Sequence, residues 1–307
     1  RRAHRQMKGE SPMDKQTILA TGATGLIGSR FVEMFKDKYD VVNMDLTTRV
    51  DITNVETFTP FFDAHRDAKA LIHLAAFTDT AKANAESGDK SGICYKVNVD
   101  GTKNIAVFCK ERGIHLIHVS TDFVFDGKKD TSYSEDDVVS PIDWYGETKA
   151  MAEEVVKASG CSYPIIRLSY PYRANFDLKP DLIKKIRAEL TAADLPPMFS
   201  DTIITPTFVD DLARAFDTCV ELMPSGTYHT VGSTSLSPYE LARKVAVAYG
   251  FDPNLVKQGS LAEYLKTSTR QFAKTVAMSN AKATADLGLR FATIDEGLAE
   301  IKKQQGL

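Results

Sequence analysis

Along the chain, short runs of consecutive apolar residues alternate with longer stretches whose apolar residues return every three or four positions. The short runs, at 16–21, 40–45, 70–74, 115–120 and 164–168, predict β-strands; the longer stretches, near 26–37, 54–66, 91–112 and 144–159, predict helices. Strands and helices alternating in this way build a parallel sheet covered on both faces, a doubly wound α/β fold. In such folds ligands bind beyond the carboxyl ends of the strands. After about residue 170 the rhythm changes. Pro171, Pro180, Pro196, Pro197, Pro206, Pro224 and Pro238 divide the chain into shorter pieces, with helical patterns near 181–191, 208–222, 237–249 and 294–304. The expectation is a first domain over 16–170 and, mainly over 171–307, a smaller lobe that closes over its mouth, with some late segments returning to the first domain.

The first strand runs straight into Gly22, Gly25 and Gly28, and the residues around them (Leu26, Ile27, Phe31, Val32, Phe35) carry a helical apolar pattern. Strand, glycine turn and helix start form the setting of a dinucleotide-binding, Rossmann-type loop. Gly22 permits a tight turn, Gly25 lets the backbone approach a pyrophosphate, and Gly28 lets the helix pack closely on the strand. The pyrophosphate would rest on the helix N-terminus, where free N–H groups and the positive dipole end point at it. Thr24, Leu26 and Ile27 belong to the same predicted cofactor contact. Asp45, which ends the second predicted strand in YDVVNMDL, stands where a carboxylate grips ribose hydroxyls.

Tyr145 and Lys149 lie four positions apart in the helical run WYGETKAMAEEVV, so they share one helix face. A free tyrosine ionises near ~10, and an adjacent ammonium is expected to lower that value, which would let the pair move a proton at a carbonyl or alcohol carbon.

Composition narrows the alternatives. The 307-residue chain has a formal net charge of -3 and no basic run interleaved with aromatics, so nothing favours nucleic acid as a partner. Its apolar runs are of strand length, too short for a membrane helix. Cys94, Cys109, Cys161 and Cys219 are scattered without a Cys-x-x-Cys pair, and the reading is reduced core cysteines of a cytoplasmic protein. No metal spacing links the histidines; His73, His115 and His118 sit in or beside predicted strands as packing residues. The opening RRAHRQMKGESP lacks the apolar core of a secretory signal, and residues 1–15 read as a disordered tail or an expression remnant, with Met13 as a possible natural start.

With TGATGLIG, HLAAFT, STDFVFDG and YGETK in this order, the chain resembles the extended short-chain dehydrogenase/reductase family. Within it, STDFVFDG, SPIDWYGETK and TIITPTFVDDLARAF are most similar to the dTDP-4-dehydrorhamnose reductase branch. The resemblance implies that Tyr145 is the acid/base group, that Lys149 is its partner and also holds the nicotinamide ribose, and that Thr121 supplies a hydroxyl to the substrate oxygen. Ser120 is the neighbouring alternative, because only one of two successive strand residues can face the cleft. It implies further that Asp51 and Ile52 contact adenine, with Asp51 as a helix cap the other reading. Ala75, Ala76 and Phe77 would border the cofactor, with Thr78 beside them, and Asn98 would lie near the active site unless it is an exposed helical residue. Asp122 would lie near the substrate sugar or organise the turn. Ser169 and Tyr170 would border the nicotinamide and the substrate. The passage YPYRANF departs from the branch.

The expected activity is hydride transfer between NAD(P)H and the carbonyl of a nucleotide-linked 4-keto-6-deoxy sugar, with no metal. Asp45 favours NAD(H) over NADP(H), since it would repel a 2′-phosphate; Arg49 could offset this or be a solvated loop residue. Two other readings remain open: an NAD-dependent nucleotide-sugar epimerase or dehydratase, and a non-catalytic cofactor-binding regulatory subunit resembling the beta subunit of methionine adenosyltransferase. A homodimer is a further expectation, by analogy with the superfamily.

Overall fold

The predicted alternation of strands and helices is the architecture of the first half of the computed structural model, which describes residues 15–307. The proposed N-terminal tail therefore lies almost wholly outside the described residues. In chain order the elements are β1 (Gln16–Thr21), α1 (Gly28–Phe35), β2 (Tyr39–Met44), α2 (Val55–Ala64), β3 (Ala70–His73), α3 (Thr80–Ala85), α4 (Ile93–Tyr95), α5 (Thr102–Arg112), β4 (His115–Thr121), α6 (Trp144–Ala158) and β5 (Pro164–Leu168). The single helix expected over 91–112 is interrupted. A π-helical turn, Lys96–Gly101, joins α4 to α5 and places Asn98 on its buried side.

The second half continues with β6 (Pro171–Tyr172), α7 (Leu182–Thr191), β7 (Met198–Phe199), β8 (Thr207–Phe208), α8 (Val209–Leu222), β9 (Gly226–His229), α9 (Pro238–Ala248), β10 (Gln258–Gly259), α10 (Leu261–Tyr264), α11 (Ala281–Leu287) and α12 (Ile294–Gln304). The central sheet has the order β2-β1-β3-β4-β5-β9, with every neighbouring pair parallel. β9 thus brings a segment from after residue 170 into the sheet. β1 lies between β2 and β3, so the chain leaves it toward opposite sides, and the crevice beyond its carboxyl end is where a ligand has room.

Strand alternation sorts the core. Ile18, Ala20, Ile72, Ile117 and Ile166 pack on the side of Phe31 in α1 and Leu212 and Phe216 in α8. Leu19, Leu71, Leu116 and Ile165 pack on the other side, against Phe58 and Phe62 of α2 and Ile105 and Cys109 of α5. A separate cluster centred on Tyr172, Phe208, Leu241, Val245, Leu298 and Ile301 holds α7, α9 and α12 together in the second half. Capping explains several helix starts: Asp143 accepts from Gly146 N at α6, and Ser237 with Glu240 and Thr293 with Glu296 form capping boxes at α9 and α12. No helix among the described residues is long and apolar enough to cross a membrane.

Candidate active site

The glycine turn closes directly onto the loop after β3. Gly22 has φ 68°, and a Cβ there would lie 3.0 Å from Ala75 N. At Gly28 a Cβ would come within 2.6 Å of Gly22 O and 2.7 Å of Ala23 Cα, so only glycine lets α1 begin this close to the turn. Ile27, at the N-cap of α1, supplies no side-chain hydrogen bond to the helix. The Ser29, Arg30 and Phe31 amides bond to Gly25 O and Ile27 O, while those of Leu26, Ile27 and Gly28 have no acceptor among the described residues, which suits an anion at the helix N-terminus. Thr24, Gly25 and Leu26 complete the turn. These features fit a dinucleotide pyrophosphate.

Asp45 follows β2 and reaches back to this turn. Its carboxylate accepts from Thr24 N at 3.3 Å and Thr24 Oγ1 at 2.7 Å through one oxygen, and from Thr47 N at 2.8 Å and Thr47 Oγ1 at 2.5 Å through the other. Burial works against its charge, but the hydrogen bonds from Thr47 and Thr24 outweigh it and hold the carboxyl below its usual range. Arg49 is exposed, in a left-handed backbone conformation. Asp51 does not cap α2; that role belongs to Asn54, while Asp51 accepts from Thr53 N and Oγ1. Ile52 is buried, and a Cβ at Gly101 would touch its side chain at 2.6 Å.

Asn98 is 1% exposed, which removes the reading of an exposed helical asparagine. It accepts from Phe77 N at 2.8 Å and donates to Thr148 Oγ1 at 3.0 Å, tying the loop of Ala75, Ala76 and Phe77 to α6. On the inner end of that loop, the Thr21 hydroxyl accepts from Leu74 N and Ala75 N, both at 3.1 Å, and lies 2.7 Å from His73 Nδ1. With both lone pairs used, the hydroxyl hydrogen goes to His73 Nδ1, which leaves Nε2 as the protonated nitrogen facing Thr102 at 3.0 Å.

Tyr145 and Lys149 share the buried face of α6, yet they do not interact as the spacing suggests. Lys149 Nζ donates to Val119 O at 2.7 Å, and burial lowers its pKa to about 8. The Tyr145 phenol is raised, not lowered: burial is the main cause, the nearby Asp122 and Asp143 add to it, and Thr121 works against it. In this arrangement the tyrosine is a neutral proton donor.

Strand alternation separates the two hydroxyls at the end of β4. Ser120 donates to Glu153 Oε1 at 2.7 Å, within a buried pair in which Arg167 binds both Glu153 oxygens. Thr121 donates to Asp122 Oδ1 at 2.8 Å, and Ser169 donates to Asp122 Oδ2 at 2.7 Å. Asp122 also opens a one-turn 3₁₀ helix, with Thr121 as its cap. Burial pushes the Asp122 carboxyl up to about 6, against the hydrogen bonds from Ser169 and Thr121. Tyr170 adopts φ 41°, an uncommon conformation for a tyrosine, and lines a small cleft with Asp122, Phe123, Asp143, Gln271 and Phe272. A wider, open groove between α9 and α12 contains none of these residues.

Sequence reasoning missed the supports. Glu153 and Arg167 carry no motif, and their pairing depends on α6 packing beside β4, next to β5 in the sheet. Arg173, inside the unusual YPYRANF, is 3% exposed and reaches from the second half to α1. It donates to Leu26 O, Ser29 Oγ and both Glu33 oxygens. A charged residue in an otherwise apolar passage was the available signal.

A family model described as the RmlD substrate binding domain matches residues 16–306. The chain is 29% identical over 297 residues to a probable low-salt glycan biosynthesis reductase of Haloferax volcanii, covering 92% of this chain and 96% of that protein. It is 30% identical over 243 residues to a dTDP-4-keto-6-deoxy-D-glucose reductase of Streptomyces niveus, covering 78% and 81%. The solved dTDP-4-dehydrorhamnose reductase of Bacillus anthracis, in complex with NADP, aligns with a TM-score of 0.85 at 26% identity, over 94% of this chain and 99% of that one.

Proposed function

Because the chain belongs to the RmlD substrate-binding-domain family of extended short-chain dehydrogenase/reductases, we propose that it reduces a nucleotide-linked 4-keto-6-deoxy sugar with NAD(P)H. Its site residues are assigned on that basis. The pyrophosphate is held by the turn Gly22–Gly28 and the start of α1, the adenosine ribose by Asp45, and the adenine by the backbone and side chain at Asp51 and Ile52. Ala75, Ala76, Phe77, Asn98 and Ser169 wall the nicotinamide half. When bound there, the cofactor supplies the hydride for the carbonyl carbon.

The chain's own residues manage the oxygen. Tyr145, neutral and buried, gives its proton to the oxygen that becomes the alcohol. Thr121 steadies that oxygen, and Lys149, a buried amine anchored on Val119 O, holds the ribose. Asp122 and Tyr170 face the sugar. A single positioned proton donor contributes roughly 10²–10⁴-fold, and alignment of the reactants supplies much of the rest.

The observation that carries this reading is the placement of Thr121, Asp122 and Ser169 at the carboxyl ends of β4 and β5, with Tyr145 close enough to respond to Thr121 and Asp122. The test is a panel of dTDP-4-keto sugars with NADH and NADPH. Sugar reduction with equal consumption of reduced cofactor is expected. Sugar conversion without net consumption would identify an epimerase or dehydratase. Stoichiometric capture of a partner enzyme, with every sugar untouched, would identify a regulatory subunit.

A further inference from the structure

Asp122 is a fully buried carboxyl whose side-chain partners, among the described residues, are two hydroxyls, with the amides of Asp122 and Phe123 also favouring its charge. Its side chain has no cation within salt-bridge distance among the described residues, and its exposure is 2%. Such a group is costly to keep charged. The groups around it do little to help. Tyr145 on α6 and Tyr170 after β5 are both neutral, their ionisation opposed by burial. Asp143, the α6 cap, is another acid, itself raised by burial. Arg270, from the segment after α10, acts on Tyr170 and Asp143 and donates to Thr80 Oγ1 instead.

A hydroxyl has one hydrogen and two lone pairs. Thr121 accepts from Phe123 N at 3.3 Å and gives its hydrogen to Asp122 Oδ1. In that state it has no hydrogen left for a substrate oxygen. We propose that Asp122 controls the direction of the Thr121 hydrogen bond. As a carboxylic acid, Asp122 donates through Oδ1 to Thr121 while Oδ2 still accepts from Ser169. Both Thr121 lone pairs are then used, and its hydrogen is free for a substrate oxygen. As a carboxylate, Asp122 takes that hydrogen back. No proton is consumed by the switch; the acid form persists through the reaction, and Tyr145 supplies the proton that the product keeps. Asp122 is therefore a positioning residue that acts through Thr121, and the proposal rests on the reductase reading. The carboxyl's tendency to hold its proton up to about 6 is consistent with this role.

The test combines pH profiles with a direct titration. Wild-type turnover should fall as Asp122 ionises. Ser169→Ala removes a hydrogen bond that favours the carboxylate, so the fall should move up by about one pH unit. Asp122→Asn should erase the fall, because its amide donates to Thr121 at every pH while its oxygen accepts from Ser169. Asp122→Ala should lower turnover about 10–100-fold across the range, the loss expected of one misdirected hydrogen bond in the transition state. In the free protein, the ¹³C resonance of the Asp122 carboxyl, identified by its loss in Asp122→Asn, should titrate above the ordinary carboxylate range and move upward in Ser169→Ala. A fall retained in Asp122→Asn, or a carboxyl that titrates in the ordinary range, overturns the switch. A wild-type protein inert toward every keto sugar overturns the reductase reading instead, because the carboxyl titration needs no substrate.

Discussion

In the proposed reaction, Tyr145 is the residue on which the chemistry turns. Its phenol is kept neutral by burial and by two nearby acids, so it enters the reaction carrying a proton. Tyr145→Phe preserves the ring and its edge contact with Phe123, and should leave dinucleotide affinity within about twofold while lowering turnover by roughly 10²–10⁴-fold. Fluorescence titration with NADH beside steady-state rates separates the two effects. Asp45 makes a second prediction. Two like charges at ~4 Å repel by roughly 4 kcal/mol at an effective dielectric of about 20, so NADH should bind more tightly than NADPH, and Asp45→Ala should narrow the gap by at least ~10-fold. Equal affinities in the wild type would show that the carboxylate does not meet the ribose. The sequence made Tyr145, Lys149 and the glycines legible because each answers a local requirement of spacing or backbone. It left Ser120 and Thr121 unresolved on residues alone, since the decision depends on Glu153, a partner 33 positions away from Ser120. It also misjudged the Tyr145–Lys149 coupling, because spacing cannot report that the Lys149 ammonium is committed to Val119 O.

At the scale of elements, the β1–α1 junction and the π turn before α5 set the shape of the site. Gly28→Ala would force a methyl into the glycine turn and should cost about 1–3 kcal/mol, with loss of dinucleotide binding as the turn opens. Calorimetry with and without NADH should show a lower Tm and little cofactor-induced stabilisation. A variant that keeps both would contradict the close packing described for α1. Asn98→Ala leaves the Phe77 N–H without its partner and severs the link to Thr148; a cost of about 1–3 kcal/mol and weaker cofactor binding are expected. Hydrogen exchange at Phe77 should report the released loop. The first five strands were readable to within about a residue because their buried centres are short apolar runs, whereas β6–β10 were not. The π turn was not readable: Lys96–Gly101 lies inside a continuous helical run from α4 to α5, and it packs on α6.

At the scale of the molecule, a charged network clasps the second half to the dinucleotide turn: Arg173 to Leu26 O, Ser29 and Glu33, and Arg30 to Glu33 and Asp210. Arg173→Met should lower Tm and weaken dinucleotide binding, although the side chain belongs to the other half; unchanged affinity would make the clasp structural only. Acid should act globally. Burial depresses His73 to about 3, His115 to about 4 and His229 to about 3, and holds His118 well below its ordinary value. The folded state then binds fewer protons than the unfolded chain as pH falls below about 6.5, so stability present above that pH is lost on acidification. Asp122, Asp143 and Asp211, raised by burial, have the opposite sign, with Asp122 gaining stability as pH falls through about 6, but Glu33, Asp45 and Asp210, held below the usual range, act in the same direction as the four imidazoles. Tm at about pH 4.5 should lie well below that at pH 7. The doubly wound sheet was legible from periodicity, whereas β9 was not, because its four residues carry no strand pattern and gain their place only by pairing with β5. In the proposed reaction, hydride passes to a sugar carbonyl whose oxygen takes the Tyr145 proton. The most direct measurement follows deuterium from NAD(P)D, labelled at the transferable position, into a dTDP-4-keto-6-deoxy sugar. One deuterium fixed at the former carbonyl carbon, absent with Tyr145→Phe, is the predicted result; a converted sugar carrying no deuterium would contradict it.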